Sequence, residues 1–292
     1  MGVTAGVPVL KRSSALASFL ESVEQTNIES VIVADNGYKD DRTEIYNREY
    51  PFDLTVLDLE FDIGIGACRY AIAEEFSNDY LLVADCDMEV PKNVSVLVDI
   101  LENESELGGV SGILQERGRF RSGSRNLFEQ PMFGGGTSLV IGIESCPAVE
   151  QISGHFVVRF DFLTNAAVIR NECIKDYSWD SNLPDKEHLD FYLGQFHDTE
   201  WEFGVCPEVH FIHNKGCNEV YREEYRNNED RQKKADEIFQ EKWGYDKIWS
   251  KPRTEWLDTN NTTELDFHSI FRSQIPLKYQ ILLHDLRLKY FE

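Results

Sequence analysis

What most constrains this chain is a repeated alternation, from residue 3 to residue 114, of short apolar runs with segments of helical periodicity. Val3 to Leu10 reads as a buried strand ending near Pro8. Ser13 or Ser14 can cap a helix whose Leu16, Phe19, Leu20 and Val23 follow the i, i+3, i+4, i+7 spacing of one helix face. Val31-Ile32-Val33-Ala34 is a second strand, stopped by the turn signal Asp35-Asn36-Gly37. Leu54 to Leu59 is a third. After Gly64 and Gly66, a helix carries Ile65, Cys68, Ile72 and Phe76 on one face. Tyr80 to Ala84 is a fourth strand, running into Asp85-Cys86-Asp87. A helix with Val94, Leu97, Val98 and Leu101 and a strand from Val110 to Leu114 complete the series. The pattern predicts an α/β fold with a Rossmann-like, mostly parallel sheet flanked by helices. Such sheets bind ligands at the carboxyl ends of their strands, where Pro8, Asp35, Asp58 and Asp85 to Asp87 all fall.

Beyond this series the pattern loosens. Residues 117 to 154, with Gly134-Gly135-Gly136, read as an excursion and a loop, and no chemistry is assigned to the glycines. Strand-like stretches follow at Phe156 to Phe162, Thr164 to Asn171 and Val205 to Ile212. After Gly216 the chain turns to polar helix and then to an amphipathic stretch in which Ile275, Tyr279, Leu282, Leu283, Leu286 and Tyr290 share a face. The expected organisation is a catalytic domain over 1–215 and a helical C-terminal extension over 216–292.

The charge balance excludes one class of partner. The 29 Lys and Arg against 52 Asp and Glu leave a net charge of −23, without the basic clusters that nucleic-acid phosphates require. So much acid also opposes long-range attraction of any anionic substrate. Two conditions remove the conflict: an extremely halophilic source, where molar salt shortens the Debye length to roughly 3 Å, and a bound divalent cation that supplies positive charge locally. The six cysteines (Cys68, Cys86, Cys146, Cys173, Cys206 and Cys217) form no C-x-x-C pair, the pattern of reduced thiols in a cytoplasmic protein. The sequence begins with neither a charged n-region nor an A-x-A site, and no apolar run approaches the ~20 residues of a membrane span. A cytoplasmic protein is expected, with room for peripheral association at the inner face of the membrane.

Asp85-Cys86-Asp87 carries the clearest chemistry. Two carboxylates at i and i+2 on a loop that follows an apolar strand suit a hard divalent cation, Mg²⁺ or Mn²⁺, able to bridge diphosphate oxygens. Four motifs then occur in order: Gly6-Val7-Pro8-Val9, Val33-Ala34-Asp35-Asn36-Gly37, Asp62-Ile63-Gly64-Ile65-Gly66-Ala67-Cys68-Arg69, and Leu82-Val83-Ala84-Asp85-Cys86-Asp87. In this order and context they resemble a family 2 glycosyltransferase of the GT-A fold, over roughly residues 3 to 215. The resemblance implies that Pro8 and Asp35 line the nucleoside site, Asp35 accepting from a uracil or guanine edge. It places Asp62 and Arg69 near the base and phosphates, Asp85 at ribose or metal, and Asp87 as principal metal ligand.

The second half resembles the acceptor side of the same family. Asp185-Lys186-Glu187-His188-Leu189-Asp190-Phe191 is similar to the family's E-D-x-D-L or E-H-x-D-F segment at a helix start, with His188 in place of the Asp of the commoner pattern. An inverting transferase needs one carboxylate to deprotonate the acceptor hydroxyl. The resemblance points to Glu187 for that role, with Asp190 in reserve. Relatives place a metal-binding histidine at a strand end corresponding to Val209 to Lys215; strand alternation sends His210 and His213 to opposite faces, and His213 stands at the end. The implied activity is metal-dependent, inverting transfer of a sugar from a UDP- or GDP-sugar to a glycan or lipid-linked acceptor, within N-glycosylation if the source is haloarchaeal. Two alternatives stand beside it. A sugar-nucleotide nucleotidyltransferase would share the sheet and carboxylates, but the loop after the first strand holds Lys11 and Arg12 without the glycines of that class. An inert sugar-nucleotide-binding subunit would not need Glu187.

Overall fold

The computed structural model describes residues 2–117, 119–132, 135–143, 149–214 and 228–250. Strands β1 (Val3–Val9), β2 (Ser30–Asp35), β3 (Asp53–Asp58) and β4 (Tyr80–Val83) pair in parallel in the order β3-β2-β1-β4. They alternate with helices α1 (Ser13–Val23), α2 (Thr43–Tyr46) and α3 (Ile65–Glu75). The short β5 (Met88–Glu89), helix α4 (Ser95–Asn103), β6 (Leu107–Glu116) and β7 (Arg119–Arg121) follow. After them come β8 (Asn126–Pro131), β9 (Thr137–Gly142), β10 (Val149–Ile152), β11 (His155–Phe160) and β12 (Ala167–Arg170). Helices α5 (Asn171–Asp176) and α6 (Glu187–Asp198), strand β13 (Glu202–His213), helix α7 (Glu229–Trp243) and β14 (Lys247–Ser250) complete the described chain. The main sheet continues from β4 through β12, β6, β13 and β11 to β10. Along this path β12 and β11 run against the common direction, as do β5 and β7, which pair antiparallel with β13 and β6.

Strand alternation explains how both faces of this sheet are covered. Val31 and Val33 of β2 and Leu82 of β4 point toward Leu16, Phe19 and Leu20 of α1 and Leu97, Ile100 and Leu101 of α4. Their neighbours Ile32, Leu81 and Val83 point the other way, into a layer with Cys68 and Ile72 of α3, Cys173 of α5 and Phe191 and Tyr192 of α6. A strand buried on both faces reads as a continuous apolar run, which is why β1, β2 and β4 were visible in the sequence; β3, at the sheet edge, is only half-buried.

The stretch read as an excursion and loop folds differently. β8 and β9 pair antiparallel, and β14 joins β9 in parallel, making a second sheet of three strands. Leu127 and Leu139 of this sheet pack with Leu183, Leu193 of α6, Phe239 of α7 and Tyr245. The pairing could not be read locally, because β14 lies more than a hundred residues from β9 in sequence. The segment beyond residue 216 is thus packed on the first 215 residues wherever it is described. The amphipathic face from Ile275 to Tyr290 lies outside the described residues. Among the described residues no helix is long and apolar enough to cross a membrane.

Helix α7 is held by charge as well as by Phe239. Asp190 of α6 is fully buried and accepts from Trp243 Nε1 (2.8 Å), Lys242 Nζ (3.0 Å) and the Tyr177 hydroxyl (3.4 Å). Lys242 also reaches Asp180 at 2.9 Å. Removing one partner of a fully buried ion pair costs about 3–5 kcal/mol, and Lys242 keeps some contact with water. Lys242→Met is therefore expected to lower unfolding stability by roughly 2–3 kcal/mol in denaturant titration, whereas a value within error of wild type would show that α7 is not anchored through this pair.

Candidate functional site

The carboxyl ends of β1, β2 and β3 form one edge of the site. Pro8 is the penultimate residue of β1, paired with Ala34. Asp35 ends β2 with no exposed surface, and its carboxylate is fully engaged. Its Oδ1 accepts from the Gly37 amide (2.9 Å) and from Arg42 Nη1 (2.8 Å), and its Oδ2 accepts from the Tyr46 hydroxyl (2.6 Å). Arg42, 2% exposed, also donates to the carbonyls of Leu10 (2.7 Å) and Tyr38 (3.1 Å). The buried pair Asp35–Arg42 thereby fastens the loop after β1 to the loop after β2. Asp62 occupies left-handed backbone (φ 56°), a conformation that Asp adopts more readily than most residues. Its amide donates to the Asn36 carbonyl (2.7 Å) and its carboxylate pairs with Arg231 of α7 at 2.6 Å.

Arg69 stands at the centre. Its helix, α3, approaches the 180–184 loop so closely that Gly64 and Gly66 are required: Gly64 has φ 109°, and a Cβ on Gly66 would lie 2.3 Å from the Leu183 carbonyl. That approach sets Arg69, 2% exposed, between two carboxylates: Nη2 donates to Asp85 Oδ1 at 2.7 Å and Nε to Glu187 Oε1 at 3.3 Å. Asn165, just before β12, donates to both oxygens of Asp85 at 3.3 and 3.2 Å. Glu187 is the first residue of α6, where the positive end of the helix dipole favours a carboxylate. Burial raises its pKa above the ordinary value; Arg69 pulls the other way, and burial wins.

Asp87 faces the end of β13. Its Oδ2 accepts from Arg12 of the β1–α1 loop and lies 3.5 Å from His213 Nε2. His213 Nδ1 meets Glu116, the last residue of β6, at 2.8 Å. A carboxylate behind an imidazole fixes the ring and its tautomer, the arrangement common behind metal-binding histidines. Burial opposes charge on Asp87, but the hydrogen bond from His213 and the nearby Arg12 outweigh it and lower its pKa. Burial likewise opposes the imidazolium, and Asp87 and Glu116 overcome it, so the His213 pKa is raised. His210 points elsewhere, with Nε2 on the Pro207 carbonyl (2.8 Å) and its ring against Phe120. Asp87 and His213 are donors of the right chemistry for Mg²⁺ or Mn²⁺, although among the described residues no three His, Cys, Asp or Glu side chains converge as a ligand group. With two protein donors, diphosphate and water oxygens would complete the shell, as is usual for Mg²⁺.

The sequence candidates therefore divide. Asp85, Arg69 and Glu187 are brought into one bonded chain, Asp87 and His213 into another, and Asp190 is taken up by α7. His188, in the position of the family's Asp, holds the Leu163 carbonyl at 2.6 Å and packs its ring on Phe162 and Tyr192; burial pushes its pKa down to about 3, so it is neutral. Arg42, Asn165 and Glu116 had no distinguishing signal, since each bonds a partner distant in sequence or lies in an ordinary turn.

A parallel sheet with paired acidic loops at its carboxyl edge and a carboxylate-bearing helix opposite is the layout of a GT-A glycosyltransferase. The sequence matches the model of "Glycosyl transferase family 2" over residues 4–165, and the chain belongs to that family. It is a glycosyltransferase, which sets the nucleotidyltransferase alternative aside. Similar solved structures are TarS of S. aureus with UDP (13% identity, 84% of this chain and 73% of that one, TM-score 0.52) and GalNAc-T7 with UDP, GalNAc and Mn²⁺ (12% identity, 73% and 44%, TM-score 0.55). At such identities the likeness establishes the fold. Among curated proteins none matches the sequence.

Because the His213 pKa is raised in the fold, the stability it contributes is complete below its ordinary pKa of 6.5 and fades as pH rises through the raised value. In EDTA, the difference in melting temperature between wild type and His213→Gln is expected to be largest below pH 6.5 and to shrink above it. A difference that grew with pH would contradict the Asp87–His213–Glu116 arrangement.

Proposed function

We propose that this glycosyltransferase is metal-dependent and inverting, and that it moves a sugar from a UDP- or GDP-sugar to a hydroxyl of a glycan or lipid-linked acceptor at the cytoplasmic side of the membrane. The observation that carries this reading is the Arg69 bridge, which joins a donor-side carboxylate, Asp85, to an acceptor-side carboxylate, Glu187. The likeness to structures that hold UDP and UDP-GlcNAc makes UDP the first nucleotide to test. The acidic surface fits a halophilic medium, and the acceptor would then belong to a lipid-linked N-glycosylation pathway.

Glu187 takes the proton of the acceptor hydroxyl as that oxygen attacks the anomeric carbon. The bond from that carbon to the diphosphate breaks on the opposite side, and the anomeric centre inverts. The proton is left on the Glu187 carboxylate, and the electron pair of the broken bond leaves with the nucleoside diphosphate. A pKa raised by burial makes Glu187 a stronger base than a surface carboxylate, while Arg69 keeps it oriented and ionised. Asp85, fixed by Arg69 and Asn165, would contact the ribose or the metal. Asp87 and His213 would hold the cation, which when bound neutralises charge on the departing diphosphate. Arg12 adds a fixed positive charge beside them. Asp190 serves as the anchor of α7 rather than as the base.

Calorimetry in high salt with Mn²⁺ or Mg²⁺ tests the donor site: UDP or GDP is expected to bind only with metal, and Asp87→Ala to abolish the binding. Lack of binding by folded wild type would refute the donor site. For the base, Glu187→Gln is expected to lower kcat by at least about 100-fold with nucleotide affinity changed less than about threefold. Since Glu187 must be ionised, kcat should fall as pH drops through its raised pKa. Retained turnover in the variant would remove Glu187 from the reaction.

A further inference from the structure

The edge that should receive the nucleobase has lost the group the family resemblance assigned to read it, because Asp35 is inaccessible and its oxygens are already bonded to Gly37, Arg42 and Tyr46. The same edge carries two rings in an unusual setting. Tyr38, in the loop after β2, and Phe61, in the loop after β3, stack with centroids 4.7 Å apart and planes 21° from parallel, yet are 57% and 43% exposed. We propose that this Tyr38–Phe61 pair is the platform on which the donor's nucleobase stacks, a subsite that rests on the nucleotide-sugar reading given above.

Three observations support the assignment. First, the platform is built in place by buried contacts. Arg42, paired with Asp35, donates to the Tyr38 carbonyl, and the Asp62 amide donates to the Asn36 carbonyl, tying the two ring-bearing loops together. Second, consecutive residues of the β1–α1 loop link the platform to the candidate metal carboxylate. Lys11 Nζ lies 6.0 Å from the Phe61 centroid, and Arg12 is bonded to Asp87. A base on the rings would place its diphosphate toward two cations and the candidate metal carboxylate. Third, among the described residues the loops after β1, β2 and β3 expose one other large apolar side chain, Ile63 at 41%, and they carry the charged Lys11, Lys39 and Asp62. Such a patch suits one planar heterocycle better than a protein interface. Every base has a π-face, so stacking of this kind tolerates different bases and contributes to affinity for each.

The test uses the full chain in high salt with Mn²⁺, with UDP, GDP and inorganic pyrophosphate as probes in calorimetry. Tyr38→Ala and Phe61→Ala should each weaken UDP and GDP about tenfold and leave pyrophosphate unchanged, and Tyr38→Phe should restore binding to within about twofold of wild type. Emission of a Phe61→Trp variant should be quenched by uridine alone. Both positions are exposed, so unchanged melting temperatures will show that the variants fold. If wild type binds UDP with metal and both alanine variants bind it equally well, the platform is refuted while the transferase reading stands. If wild type binds none of the three probes, the transferase donor site itself fails, and the platform with it.

Discussion

Arg69 is the interaction on which the rest of the site depends. A guanidinium cannot lose its proton in a protein, so burying it demands anionic partners, and the fold supplies Asp85 from the end of β4 and Glu187 from the start of α6. At an effective dielectric of about 20, a charge pair 4 Å apart gains about 4 kcal/mol, comparable to the effective cost of desolvating one ion. The site is thus poised: Arg69 is held by both carboxylates, while Glu187 remains destabilised enough by burial to have its pKa raised. A fully compensated carboxylate would be a poor base, and an uncompensated one would be protonated. One guanidinium shared between two acids gives an intermediate state.

The geometry that creates this sharing comes from backbone as much as from charge. Glu187 can reach Arg69 only because α3 begins with Gly64 and Gly66 pressed against the 180–184 loop. A Cβ at Gly66 would collide with the carbonyls of Leu183 and Asp180, both immovable without shifting the start of α6. The glycines that marked a helix start in the sequence therefore have a second role, in bringing α6 close to the sheet.

Much of this was legible in the sequence, for an identifiable reason. Strands β1, β2 and β4 are short and buried on both faces, so their apolar runs and the helical spacing of α1, α3 and α4 can be read locally. Topology put Asp85 and Asp87 at a strand end, and the family resemblance pointed to Glu187, which stands at the start of α6 and reaches Arg69. What could not be read was anything fixed by contact between distant segments. The three-stranded sheet of β8, β9 and β14 needs a partner from beyond residue 228, so residues 117 to 154 read as irregular. The engagement of Asp35 by Arg42 depends on a short 3-10 turn with no helical or strand period, and that of Asp190 by Lys242 and Trp243 on the docking of α7. A sequence motif reports which residue type occupies a position; it does not report whether a neighbour has already used its hydrogen-bonding capacity.

That distinction bears on how a chain of net charge −23 could receive an anionic donor. Bulk attraction is unavailable, and the positive charge that matters is placed locally. Lys11 and Arg12 follow β1, Arg42 lies after β2, and Arg69 lies in the second turn of the helix after β3, so each of the first three crossovers carries a cation near the carboxyl edge. Of these, Arg42 and Arg69 are buried and bonded to Asp35, Asp85 and Glu187, and their role is to hold loops and carboxylates in place. Lys11 and Arg12 remain at the rim, over Phe61 and Asp87. Buried pairs are little affected by salt, whereas exposed attraction is screened within a few ångströms at molar ionic strength. A site organised by buried pairs keeps its shape in high salt, where one built on surface attraction would lose it.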